Sequence, residues 1–136
     1  MLPQRLILAH KHSTSAWLRF LCFEHGVCAF DPLPAFSVLD ETTPAPSVVL
    51  HPAVYLRAAQ KTLGLEDGSL RHEPAFSAYV TSPVGRIEVQ LATFTGIDPP
   101  FLVAQAAGGR FISITQARDF SVTEQGLLRI AYSVLI

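Results

Sequence analysis

The sequence predicts an α+β fold: a mixed sheet of five to six short strands with an antiparallel hairpin, and about four helices packed on it. Three observations carry this reading. Two alternating apolar runs flank Ser82-Pro-Val-Gly85, a serine and a glutamate three residues apart precede a stripe of helical period near the C-terminal end, and strand-like and helix-like stretches interleave along the chain.

Arg5 to His10 reads as the first strand. Ser13, Thr14 or Ser15 is then expected to start a helix ending at Gly26, in which Ala16, Trp17, Leu18, Phe20, Leu21, Cys22 and Phe23 leave only Arg19 and Glu24 polar. A helix apolar almost all round is buried almost all round. Val27 to Phe30 forms a short strand, and Asp31 to Pro46 is a loop holding Pro32, Pro34, Pro44 and Pro46. Proline lacks an amide hydrogen and restricts its predecessor, so this stretch is neither a long helix nor a central strand, although an edge strand at Ala35 to Leu39 is compatible with it. Its apolar residues Leu33, Phe36, Val38 and Leu39 pack it on the protein surface. Ser47 to Leu50 reads as a strand, and His51-Pro52 opens a helix that runs to Leu63 and stops at Gly64.

The hairpin from Ala75 to Thr95 carries its own register check. Ser82-Pro-Val-Gly85 fits a type I turn, and folding there opposes Val80 to Ile87, Ala78 to Val89 and Phe76 to Leu91, while Tyr79 meets Glu88 and Ser77 meets Gln90. A slip of one residue would split the apolar set between two faces. Proline cannot take a positive φ, so a looser four-residue loop with the same pairing is expected in place of a primed two-residue turn. Asp98 is the expected N-cap of a helix from Pro99 to Ala107 closed by Gly108-Gly109, and Arg110 to Thr115 is the last strand. Ser121 and Glu124 form a capping box that starts the final helix at Val122, with Leu127, Leu128, Ala131, Val134 and Leu135 on one stripe. Gly126 costs that helix about 1 kcal/mol relative to alanine, so packing must hold it.

Composition narrows the function classes. Only 15% of residues are charged and the mean hydropathy is +0.34, against about 25% charged in ordinary soluble domains. An unusual share of the chain must therefore be covered. The length suits one domain over residues 1–136. Acidic and basic residues balance, and the basic ones are scattered from Arg5 to Arg129, which leaves no footprint for nucleic acid. The run Leu6 to Ala9 is too short for a signal peptide, no stretch is apolar enough to span a membrane, and two cysteines make no disulfide framework. A soluble cytoplasmic protein is expected.

The expected ligand site is the loop His10, Lys11, His12, Ser13, Thr14 and Ser15. It precedes the first helix, whose N-terminal amides and partial positive charge would favour a carboxylate or phosphate, although hydroxyls there also serve as plain caps. His10, His12, Cys22, His25 and Cys28 lie close in sequence but complete neither Cys-x-x-Cys nor His-Glu-x-x-His, so no metal is expected, and no motif calls for a cofactor. Both cysteines read as buried core residues, and His72-Glu73 as a polar turn beside a strand start. From Arg5 to Phe30 the order strand, hydroxyl-bearing loop, helix, strand resembles the first βαβ unit of thioredoxin-like and glutathione transferase domains, with Ser13 or Ser15 where those place a thiol-activating hydroxyl or cysteine. The pattern departs from them at the proline-rich loop, and no family membership is read from it.

The functional expectation is a homodimer, self-associating through the apolar first and last helices and binding a small, anionic ligand near the first helix N-terminus. Two other classes are open. One is a small enzyme using His10, His12 or His72 as acid or base, and the other an adaptor or inhibitor that docks a different protein through its apolar surface.

Overall fold

A computed structural model describes residues 4–40 and 52–136. The strand expected at 47–50 lies outside the described residues. The elements are β1 (Gln4–Lys11), β2 (Leu18–Phe23), β3 (Cys28–Ala29), β4 (Val38–Asp40), α1 (Pro52–Leu63), β5 (Leu70–His72), β6 (Ala78–Ser82), β7 (Gly85–Phe94), α2 (Phe101–Ala106), β8 (Gly109–Ile112), a 3-10 helix (Ile114–Asp119) and α3 (Val122–Leu135). The strands form one mixed sheet in the order β4-β6-β7-β1-β2-β8, with β3 also paired to β1 and β5 to β7. The α+β class holds, with eight strands in the sheet among the described residues where five to six were expected.

The largest correction is the first helix. Residues 18–23 are strand β2, antiparallel to β1 on one side, with Leu8 opposite Leu21 and His10 opposite Arg19, and to β8 on the other. Leu18, Phe20 and Cys22 join one core, while Leu21 and Phe23 join a second core across the sheet. A strand covered on both faces shows no alternation, so its sequence is indistinguishable from an all-round apolar helix segment. The resemblance to a βαβ opening, which needed that helix, falls with it.

Other boundaries shift for local reasons. The hairpin register is as expected, with Val80 opposite Ile87, Tyr79 opposite Glu88 and Ala78 opposite Val89. Pairing continues to Ser82 and Gly85, a tighter turn than expected. The positive φ that Pro83 cannot supply falls on Gly85 instead, at +126°. Helix α2 starts at Phe101 with Pro100 as its cap, because the Asp98 side chain is engaged elsewhere. The strand expected to reach Thr115 ends at Ile112, where Ser113 and Gln116 cap the 3-10 helix reciprocally.

Two layers of helix enclose the sheet. On one face α3 buries Leu127, Leu128 and Ala131 against Ile7, Ala9, Phe20, Val80, Val89 and Leu91. On the other, α1 and α2 bring Ala59, Leu63 and Ala104 against Leu6, Leu8, Leu21, Ala92 and Phe94. Every residue of β1 from Gln4 to His10 is buried as a result. Much of the apolar excess is spent inside the molecule. No helix among the described residues is long and apolar enough to cross a membrane.

Glu124 fastens α3 to the rest of the fold. It completes the capping box with Ser121 and accepts a 2.8 Å hydrogen bond from the amide of the fully buried Val27. Gly26 admits the carboxylate, since a Cβ there would lie 1.9 Å from Glu124 Oε2. Glu124→Ala should therefore lose the cap and strand a buried amide, lowering stability by about 2–4 kcal/mol in urea denaturation. Val122→Ala, at an exposed position on the same turn, should change it by less than about 0.5 kcal/mol.

Candidate functional site

Of the six residues of the expected loop, His10 and Lys11 end β1 and the other four lie in the connection to β2, so the helix N-terminus that was to supply positive potential is absent. They divide between different environments. His10 is fully buried, its Nε2 paired with Gly96 O at 2.9 Å and its Nδ1 without a partner among the described residues. Lys11, on the opposite face of β1, donates to Leu135 O at the end of α3. His12 Nδ1 accepts from the amides of Thr14 and Ser15, while its Nε2 lies 3.4 Å from Asp98. Ser15 Oγ accepts from the Trp17 amide, and Ser13, Thr14 and Ser15 are all exposed. The loop residues chiefly hold their own turn and the β7–α2 connection.

The structure builds a better-formed site beneath α1. Helix positions 55, 58, 59 and 62 recur at helical spacing on one flank of α1, and there they are Tyr55, Ala58, the buried Ala59 and Thr62. Small side chains do not fill the space between helix and strands. A cavity of about 130 Å³ remains, lined beyond the helix by Gln4, Arg5 and Leu6 of β1, Gln90 of β7, and Ala29, Phe30 and Asp31. Phe30 takes a φ of +69°, a left-handed conformation that costs a bulky residue about 1–3 kcal/mol and that concentrates at ligand sites.

The floor of the cavity is polar. Gln4 is 8% exposed and its Oε1 has no hydrogen-bond partner among the described residues. Gln90 has both ends of its amide fixed: its Nε2 donates to Glu88 Oε1, so its Oε1 must accept the 2.7 Å bond from His72 Nε2. Tyr79 OH donates to Glu88 Oε2 at 2.9 Å and closes the chain His72–Gln90–Glu88–Tyr79. With every other member of the row committed, Gln4 Oε1 is left as an open acceptor beside an apolar space. Such a group ordinarily has water or a ligand on it.

Neighbouring groups feel this environment. Partial burial, then the hydrogen bond and charge of Glu88, push the Tyr79 phenol up, and burial followed by Glu88 does the same to Tyr55. Burial pushes the Cys28 thiol up to about 12 and also raises Cys22, against the lowering effect of Arg110 beside it. Neither thiol has the lowered pKa of a nucleophile. His72 and Glu73 do not act on each other, since Glu73 turns instead to Arg71 and Thr93. Among the described residues no three of His, Cys, Asp and Glu gather as a metal ion would need.

No protein-family model matches the chain, and no curated protein matches it in sequence. The geometry therefore stands alone. Sequence reasoning missed Gln4, Glu88 and Gln90 because each is an ordinary polar residue in a strand, and only the parallel pairing that sets Gln4 beside Glu88 brings them together. The signal that was present is the pairing of Tyr79 with Glu88 in the predicted hairpin.

The raised tyrosines give a signed pH dependence. A folded-state pKa above the ordinary value of 10 means that the neutral phenol's contribution is complete below pH 10 and is lost as the pH rises through the folded value. Stability should fall on going from pH 9 to pH 11 in urea titrations, and Tyr79→Phe should fall less steeply. In a second measurement, a thiol reagent should leave Cys22 and Cys28 unlabelled in the native protein and modify both in denaturant.

Proposed function

We propose that the protein is a small-molecule-binding domain whose ligand occupies the cavity under α1. The open acceptor of Gln4 at the base of that apolar space is the observation that carries the reading. A cavity of about 130 Å³ is close to the ~150 Å³ cavity that takes benzene in an engineered protein interior, so the ligand, or the part of it that enters, is of single-ring size. Its edge carries one hydrogen-bond donor for Gln4 Oε1. Phe30 and Tyr55 supply aromatic walls, which favour a flat group over a branched one. This reading differs from the anionic ligand expected at residues 10–15 in resting on a neutral acceptor, Gln4 Oε1, in a wall that also holds Arg5 and Asp31.

Phenol and benzene separate the two parts of this reading. Calorimetric or NMR titration should give saturable binding of phenol, with benzene weaker. Gln4→Leu should weaken phenol about fivefold, the worth of one neutral hydrogen bond of about 1 kcal/mol, and leave benzene unchanged. Ala58→Phe, at an exposed position on the cavity rim, should abolish both while preserving the fold. Phenol binding that survives Ala58→Phe would place the ligand elsewhere and overturn the proposal.

A further inference from the structure

A second region asks for a partner on separate grounds. At the end of the sheet where parallel strands β1 and β7 finish, Arg19 lies with its guanidinium 4.1 Å from the Trp17 ring centre and 5.6 Å from that of Phe101. Trp17 is 56% exposed, Phe101 53%, and Ile97 and Leu102 beside them more so. The Arg19 side chain makes no hydrogen bond or ion pair among the described residues, so two aromatic rings hold in place a guanidinium whose donors find no partner there. Arginine and tryptophan in this arrangement are the residue types that dominate protein interfaces.

The patch also carries its own countercharge. Asp98, three residues before Phe101, is 79% exposed at its side chain, and its one ion-pair partner among the described residues is His12 at 3.4 Å. A surface holding one unpaired cation and one exposed anion within a single apolar patch is complementary to itself across a two-fold axis, where each contact occurs twice. We propose that this patch is the interface of a homodimer, in which Arg19 of each chain pairs with Asp98 of the partner subunit and the Trp17, Phe101 and Leu102 side chains are covered between them. The interface then lies on a hairpin end and α2, not on α3.

Charge exchange tests the pairing. Light scattering should give about twice the 14.8 kDa chain mass for the unaltered protein. Arg19→Glu and Asp98→Arg should each shift the concentration of half-dissociation upward by about tenfold or more, and the double variant should recover most of that loss. Leu102→Glu, at a position 80% exposed and outside the core, is a second disruption that leaves the fold intact. Trp17 is the single tryptophan, so its emission should shift to the red as the protein is diluted through the same range. A monomer at all concentrations, a dimer indifferent to all three single substitutions, or a double variant no tighter than its parents would overturn the proposal.

Discussion

The parallel pairing of β1 with β7 is the constraint on which the rest of the molecule depends. Leu6 lies beside Gln90 and Ile7 beside Leu91, strands far apart in sequence that no tight turn can join. Such a pair needs a long connection and cover on both faces. The chain between them supplies this cover. It extends the sheet beside β1 with β2 and β3, crosses to build β4, lays α1 over one face, and returns through β5 and β6 to the far edge of β7. Only then do α2 and α3 close opposite sides. A 15% charged composition follows from this arrangement, because two sheet faces and the helices facing them must all be apolar.

The same constraint separates what the sequence made legible from what it hid. The hairpin register and the α3 start were legible because each rests on contacts within a few residues: facing alternation about a proline turn, and a serine and glutamate one turn apart. Helix α1 was legible from its proline and glycine ends. Strand β2 was hidden, since burial on both faces erases the period by which a strand is known. The candidate site was hidden more deeply. Gln4, Glu88 and Gln90 acquire meaning only from a parallel register spanning most of the chain, and Ala58 and Ala59 only from what they fail to fill.

Polar residues under α1 and the exposed residues at the opposite end of the strands follow one logic. The β1 face that meets α1 and α2 runs Gln4, Leu6, Leu8, His10, apolar in the middle and polar at both ends. At the lower end Gln4 meets the Glu88–Gln90 row, and at the upper end His10 ties to Gly96 beside the Arg19 patch. The helices cover the apolar middle. Polar groups are left to the two ends, which is where the parallel strands stop dictating their neighbours.

The lower end also carries features that cost stability. The half-open cavity of about 130 Å³, bordered by the exposed Ala58 and Thr62, leaves its apolar lining short of packing partners. The left-handed Phe30 costs about 1–3 kcal/mol, and an orphaned buried acceptor about 1–3 kcal/mol more. Domains of this size are stable by only about 5–15 kcal/mol in all, so two such costs within one wall are a large fraction of the total. Leucine at position 58 would fill part of the gap, leucine at position 4 would remove the orphan, and glycine at position 30 would relieve the strain. Each is a minor change in sequence. Made singly, these changes separate a wall shaped by packing alone, which they would stabilise without further effect, from one shaped for the proposed ligand, whose binding each would weaken.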